Sequence, residues 1–446
     1  MQFVTDGPII PTEVLRAYEE RRLVFFCGAG SSLYTDVPEF KGLVKHLSDT
    51  CRVPIADAGE QTVGPRDRAF QQADYDLALE LLERALPDPA PMRRAAIDRL
   101  TKPFDGVLRL HQALLGLSGV TGGGYRLVTT NYDNRFHLAG ADPIWSQAGP
   151  RLAPPRNDHW RHLTYLHGLI DRQADPDGQH LVMTAGDFGR AYLQDGWAAR
   201  FVVELFRHYT VLFVGYSLND PVMRYLVAAL AAEVGAPGGF RRAFALTGYE
   251  RNDQEKIEND WRAKGVEPIP YLIRSGQSGQ AGPDHALLED TLVEWATIHT
   301  AGLDGRISVA LRIGDNPCQD PGGPDVISLA WALSKPDGSV AKAFADADCV
   351  PDISWLTALH GLEAQAEADQ SPKNERDQPA SPPTISALLY NHAPRLARLT
   401  PVANELGRWL TKHMESTTLV DWVNDGGAVV HDDWARHLGN RLEGAG

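Results

Sequence analysis

Apolar positions along the chain follow two alternating rhythms. Six short runs rich in β-branched and aromatic residues read as strands: Arg22–Cys27, Arg126–Thr130, His162–Leu166, Val211–Gly215, Arg242–Leu246 and Val266–Ile273. Several are continuously apolar rather than alternating, the pattern of strands covered on both faces. Between them, Tyr75–Leu86, Pro91–Leu117, Trp197–Tyr209, Pro221–Val234, Tyr249–Ala263 and Asp284–Ala301 carry helical periodicity. Strand alternating with helix predicts an α/β protein built on a doubly wound parallel sheet with right-handed crossovers.

Two stretches interrupt the alternation. The interval between the first and second strands contains two helical patterns, so a helical module inserted at about 51–120 is expected. Near residue 303 the strand–helix rhythm stops, which divides the chain into 1–303 and a mostly helical C-terminal region, 304–446. Within that region 365–383 is polar and rich in Pro, Glu and Asp, the composition of a flexible linker. Helical periodicity returns at Thr400–Met414, Thr417–Val423 and Asp432–Leu442, which suits the start of a helical array in a longer protein.

Composition narrows the class. With 43% hydrophobic and 23% charged residues, the chain can bury a large core. A net charge of −15 argues against direct binding to nucleic acid or to an anionic membrane, since the mean field repels both. No apolar stretch approaches a membrane span, and the start, Met1-Gln2-Phe3-Val4-Thr5-Asp6, has no basic n-region, so a cytoplasmic protein is expected. The four cysteines, Cys27, Cys51, Cys318 and Cys349, have no CxxC spacing and form no zinc module.

The chemistry-bearing residues cluster where strands end. The first strand runs into Phe25-Phe26-Cys27-Gly28-Ala29-Gly30-Ser31-Ser32. Glycines there let the backbone approach a pyrophosphate, whose charge is met by free N–H groups. The third glycine of GxGxxG is missing, and a tight strand-to-helix turn accounts for the pair equally well. Later strands end in Thr129-Thr130-Asn131-Tyr132-Asp133, in Leu166-His167-Gly168, and in Gly215-Tyr216-Ser217-Leu218-Asn219-Asp220-Pro221. Each has a plain structural reading too. Asn131 and Asp133 suit a turn, Ser217 or Asp220 a helix cap, and His167 a structural histidine. Thr184-Ala185-Gly186-Asp187-Phe188 suits a helix start, and the late His431–His437 cluster suits a solvated helix face.

Together with Asp36-Val37-Pro38-Glu39-Phe40-Lys41, the four strand ends resemble the sirtuins in order and kind. Sirtuins carry Gly-Ala-Gly-x-Ser, then Gly-Ile-Pro-Asp-Phe-Arg, Thr-Gln-Asn-Ile-Asp, a catalytic His-Gly, and Gly-Thr-Ser-Leu. The likeness covers residues 10–300 and does not reach the tail. It implies a sirtuin-like Rossmann variant that binds NAD through Gly28, Ala29, Gly30, Ser31, Ser32, Pro38, Phe40, Gly215, Tyr216 and Ser217. It further implies His167 as the base, Asn131 as the group that orients ribose and water, and Asp133 as the holder of the nicotinamide carboxamide. Phe40 would screen the departing ring, and the Thr184–Phe188 segment also resembles one near the family's site. These residue types suit the reaction. Cleaving the nicotinamide–ribose bond passes through an oxocarbenium-like state, which needs a positioned ribose, a nucleophile and a group that titrates near neutrality.

One departure decides the subclass. Sirtuin deacylases place two CxxC pairs between the His-Gly and Gly-Thr-Ser motifs, whereas Gly168 to Val214 contains no cysteine. A tetrahedral thiolate zinc site is therefore excluded there, and no metal is expected. Thr-Asn-Tyr-Asp with Gly-Tyr-Ser-Leu-Asn-Asp-Pro looks instead like the zinc-free, sirtuin-like branch of bacterial phage-defence systems. That resemblance implies an NAD glycohydrolase acting in abortive infection by NAD depletion. It also implies a homo-oligomer, or a partner such as a translocase-type ATPase, an Argonaute-type protein or a phage protein. A sensor that binds NAD or ADP-ribose without turnover is the alternative, and lysine deacylation is disfavoured.

Overall fold

A computed structural model describes residues 1–57, 60, 64–156, 160–218, 221–234, 239–274, 284–335, 339–345, 354–355, 358–359 and 362. The linker at 365–383, the three tail helices and the His431–His437 cluster lie outside the described residues. Two compact units emerge. One is Asp6–Ala296, and the other combines Met1–Thr5 with Thr297–Gly446.

The larger unit is built on a seven-stranded sheet in which every pairing is parallel. Its strands are β1 (Leu23–Cys27), β2 (Leu127–Thr129), β3 (Ser146–Ala148), β4 (Leu163–Tyr165), β5 (Thr210–Val214), β6 (Ala243–Tyr249) and β7 (Glu267–Leu272), in the order β3-β4-β2-β1-β5-β6-β7. The six sequence-read strands are all present. The seventh, β3, is a half-buried edge strand without an apolar run. All five residues of β1 and of β5 are buried, as continuous apolar runs require of strands with helices on both faces. Alternate side chains of β1 feed two layers: Phe26 packs on Phe213 and Tyr216, and Phe25 meets Trp295 edge-on. From β1 the chain builds outward through β2, then returns to β1's other side with β5. That reversal is the switch point at which doubly wound sheets open a crevice.

Helix α1 (Thr12–Glu19) precedes β1. Between β1 and β2 come α2 (Phe40–Thr50), α3 (Pro65–Gln71), α4 (Tyr75–Arg84), α5 (Ala90–Leu100) and α6 (Arg109–Ser118). The periodicity read as one helix over Pro91–Leu117 is two, because Thr101–Leu108 contains Pro103, which cannot donate, and Gly106. Helices α2 to α5 form their own core from Leu43, Val44, Leu47, Phe70, Leu79, Leu82, Met92 and Ile97, joined by Leu181 and Met183. Helix α6 buries Leu110, Ala113, Leu114 and Leu117 and packs on β1 and β2. Further along come α7 (Arg135–Ala139), α8 (Ala185–Phe188), α9 (Trp197–His208), α10 (Pro221–Ala231), α11 (Gln254–Ala263) and α12 (Ala286–Gly314). Helix α12 is interrupted at Gly302, where φ 59° and ψ −119° leave helical space.

The smaller unit contains α13 (Pro324–Leu333) and α14 (Ser339–Ala345). Trp331 is its anchor. The Arg306 guanidinium lies 4.3 Å from the centre of the Trp331 ring, and Phe3 meets that ring edge-on. Nearby, Gln2 N–H donates to Ser328 Oγ at 3.0 Å. No helix among the described residues is long and apolar enough to cross a membrane.

Candidate active site

Beyond the carboxyl ends of the central strands lies a cavity of about 580 Å³, within the range of small-molecule and cofactor sites. The loops after β1 and β5 form one wall and interlock. Gly28 N–H donates to Val214 O at 3.0 Å, and Gly30 N–H to Gly215 O at 2.8 Å. A Cβ on Gly28 would lie 2.5 Å from the Tyr216 ring, and one on Gly30 2.9 Å from Gly215. Close approach of two protein loops therefore already demands glycine at both positions. Gly215 itself has φ 59°, and a Cβ there would collide with the Ser31 nitrogen. The Ala29 N–H, bordering the cavity, has no protein partner among the described residues.

Ser32 is the hub of the floor. Its hydroxyl donates to Asp133 Oδ2 at 3.2 Å, receives Asn131 Nδ2 at 3.1 Å and meets His111 Nε2 at 3.2 Å. One hydroxyl offers a single proton and two lone pairs, so three partners saturate it when His111 donates. Asn131 also reaches Ser31 Oγ at 3.3 Å, and its own N–H is held by Thr129 Oγ1 at 3.1 Å. Asp133 Oδ1 accepts the Arg135 N–H at 2.9 Å. The buried Arg135 guanidinium is spent on Thr35 O and Lys102 O. Burial raises the Asp133 carboxyl above its usual range, opposed by the Arg135 N–H, the Arg135 charge and Ser32. Burial, helped by the Arg135 charge, pushes His111 down to about 3, so its imidazole is neutral at physiological pH.

His167 follows β4 and is held differently. Phe188 lies edge-on at 5.0 Å between ring centres, and Nε2 is 2.9 Å from the Tyr192 hydroxyl. Burial alone pushes His167 down to about 3. The segment that carries Phe188 is anchored at Thr184 and Asp187, which form a capping box at the start of α8, so the helix-start reading of Thr184–Phe188 holds. Arg93 of α5 clips that segment to the helical module. It donates to Asp187 Oδ2 at 2.8 Å, to Glu83 Oε1 at 2.8 Å and to the Gly178 and Leu181 carbonyls.

Most sequence-read positions meet at this one cavity. Ala29, Gly30, Ser32, Pro38, Phe40, Asn131, Asp133, His167, Gly215, Tyr216 and Ser217 all border it. Gly28 and Ser31 do not. They brace the wall from behind, with Ser31 Oγ bonded to Gly28 O at 2.8 Å. Asp220, weighed as a cap for α10, lies outside the described residues.

Sequence reasoning missed His111, Tyr192 and the far wall, where Thr247, Tyr271 and His285 border the cavity. Thr247 directly follows the strand read as Arg242–Leu246 and was reachable by the strand-end rule. Its hydroxyl is buried without a protein partner among the described residues. Tyr271 Oη meets His285 Nδ1 at 2.8 Å.

Comparison with known proteins agrees with the fold. Over 337 residues the chain is 30% identical to an uncharacterized protein, y4cA, of Sinorhizobium fredii. That match covers 73% of this chain and 27% of the relative, so the chain spans about a quarter of the length of the curated protein it matches. Residues 126–269, from the start of the second strand to the last, match the profile of the SIR2-like domain. Residues 126–269 are thus similar to a SIR2-like domain, a type that binds NAD, and they lie on an α/β Rossmann-like sheet.

Proposed function

We propose that the cavity binds NAD and hydrolyses its nicotinamide–ribose bond, releasing nicotinamide and ADP-ribose. The observation that carries the reading is the meeting of Asn131, Asp133 and His167 in one cavity with Gly30 and Gly215. In this reading the pyrophosphate lies against the interlocked loops after β1 and β5, where the Ala29 N–H is free to meet an anion. Asn131, held by Thr129, Ser31 and Ser32, orients the ribose and the attacking water. Each Asp133 carboxylate oxygen keeps a lone pair beyond its protein bond, which suits acceptance from the carboxamide. His167, neutral at physiological pH and through burial a weaker base than the near-neutral histidine expected from the sequence, takes a proton from water or from a ribose hydroxyl. Phe40, at the start of α2, shields the departing ring. The missing cysteines between Gly168 and Val214 support hydrolysis over zinc-dependent deacylation.

Incubation of the full chain with NAD should yield free nicotinamide. His167→Ala and Asn131→Ala should each lower that release by ~10²–10⁴-fold without unfolding the protein. Near-wild-type turnover in a folded His167→Ala variant would remove His167 from the reaction. The same protein should carry no stoichiometric zinc by elemental analysis and should leave acetyl-lysine peptides intact. The deep burial of His167, 4% exposed, also favours a second reading, an NAD or ADP-ribose sensor. Calorimetric binding of NAD without nicotinamide release would select it.

Unregulated NAD hydrolysis would harm the host cell, so the activity should be held low until triggered. We assign that control to 304–446, acting through self-association or through a partner such as a translocase-type ATPase, an Argonaute-type protein or a phage protein, in anti-phage defence. An inactive–active gap of a few kcal/mol suffices for such a switch. Specific activity of the full chain should rise with protein concentration or on partner addition, and a high, concentration-independent rate would exclude this control.

A further inference from the structure

One short stretch of chain grips His167 from two sides. Phe188 ends α8, and Tyr192 sits in the π-helical turn Gly189–Gln194 that follows. The two rings stack with 6.1 Å between centres and 12° between planes. The Phe188 ring stands nearly perpendicular to the imidazole, while Tyr192 brings its hydroxyl to Nε2 at 2.9 Å. A π-turn re-aims side chains relative to an α-helix and recurs at functional sites. The Arg93 clip and the Thr184–Asp187 capping box fix the start of the stretch, so Tyr192 extends from an anchored segment.

Direction follows from what borders the cavity. His167 and Phe188 do, whereas Tyr192 does not and is 3% exposed. The phenol therefore reaches the imidazole from the protein interior. Nε2 is the inward nitrogen, and Nδ1, without a protein partner among the described residues, is left to the cavity. A neutral imidazole carries its proton on one nitrogen and its lone pair on the other. A base that works into the cavity needs the lone pair on Nδ1, which places the proton on Nε2, against the phenol oxygen.

We propose that Tyr192 is the positioning residue of His167: its oxygen accepts Nε2–H, selects the Nε2-protonated tautomer and turns the Nδ1 lone pair into the cavity. The assignment rests on the NAD-cleaving reading only for its consequence in rate. In that reaction Nδ1 takes a proton from water while the O–H bonding pair stays on oxygen. That oxygen then bonds the ribose carbon as nicotinamide leaves with the pair of the C–N bond. The imidazolium keeps its Nε2–H on Tyr192, whose oxygen supports the charge until Nδ1 returns the proton to solvent.

The test uses the full chain labelled with ¹⁵N in its histidine rings, with the His167 signals assigned by their loss in His167→Gln. Wild-type protein should show a protonated Nε2 and an unprotonated Nδ1 at His167. Tyr192→Phe should mix or invert that tautomer while leaving the thermal midpoint close to wild type. In nicotinamide release, Tyr192→Phe should lower kcat by about tenfold or more and leave KM within about twofold, because a transition-state interaction is lost rather than uniform binding. A purely structural role would move the thermal midpoint and not the tautomer. A protonated Nδ1 in the wild type overturns the proposal, as does a Tyr192→Phe variant with unchanged tautomer and unchanged kcat. The wild-type spectrum decides the matter even if the variant fails to fold. Absence of nicotinamide release from wild type would defeat the NAD-cleaving reading, while the tautomer would still report on Tyr192.

Discussion

Two buried histidines stand beside the same cavity, and the protein holds them in opposite ways. His111 belongs to a polar cluster in which it, Asn131 and Asp133 all meet the Ser32 hydroxyl. His167 sits in an aromatic grip with, among the described residues, a single side-chain polar contact, the Tyr192 hydroxyl. Burial drives both imidazoles down to about 3, so the difference is one of wiring rather than of charge state. A saturated cluster fixes the rotamers of its members, because moving any one orphans the others in a low-dielectric site. A single tether instead orients a ring and leaves one nitrogen open. Fixed groups suit the orientation of a substrate, and an open nitrogen suits the movement of a proton.

The largest test of that contrast removes the support of one side only. Arg93 is buried, and its charge is shared between Asp187 and Glu83. Arg93→Leu leaves Glu83 without its cation and Asp187 with only the half-exposed Arg190 at 3.3 Å, and releases the segment that carries Phe188 and Tyr192. Breaking one partner of a buried pair costs about 3–5 kcal/mol. Urea denaturation should show a loss of that order, and the tautomer of His167 should blur. The Ser32 cluster, which takes nothing from Arg93, should keep its geometry. An Arg93→Leu protein with wild-type stability would mean that the helical module does not brace the grip.

A smaller effect is expected on the other side. Ser32→Ala withdraws one proton and two lone pairs from three buried partners, but Asn131 keeps Ser31 and Asp133 keeps the Arg135 N–H, so the loss should stay near roughly 1–3 kcal/mol. His111→Leu removes one of those partners. If the cluster acts as a unit, the double variant should lose clearly less than the two single losses combined. Simple additivity of the denaturation free energies would show that His111 is a core residue near the site and no part of the cluster.

The legibility of these two regions in the sequence was unequal for a physical reason. Strands covered on both faces leave continuous apolar runs, and their polar ends point to the crevice, so the places of Asn131, Asp133 and His167 at the cavity could be read from strand ends, whereas their roles came only from the resemblance to sirtuins. The edge strand β3, Ser-Gln-Ala, has no such run because among the described residues one side of it faces no further strand and its side chains are only half-buried. Helical periodicity bridged the break at Pro103 because the apolar spacing resumes in phase beyond it. His111 sits among leucines on α6, seventy-nine residues from Ser32, and looks like any core position. Tyr192 owes its direction to a π-turn, which a hydrophobic pattern does not encode. Strand ends are local information, whereas the groups that hold them in place come from elsewhere in the chain.

The smallest effect is a slope, and it counts the two histidines separately. Both have a folded-state value near 3 and an ordinary value of 6.5. Between those limits the unfolded chain binds a proton at each position that the folded protein refuses. Stability therefore falls as pH drops from 6.5 toward 3, and neither group contributes a slope above that window. Each should contribute on the order of 1.4 kcal/mol per pH unit well inside the window. Asp133 acts in the opposite sense, since its folded value is raised and acid favours its protonated, folded form. Differences between variants are therefore more telling than the wild-type slope. Urea denaturation at about pH 7 and about pH 5 should show that His111→Leu and His167→Leu each remove about one histidine's share. Tyr192→Phe should remove none, because burial and not the phenol depresses His167. A slope that Tyr192→Phe abolishes would move the cause from burial to the tether and erase the contrast between the two sides.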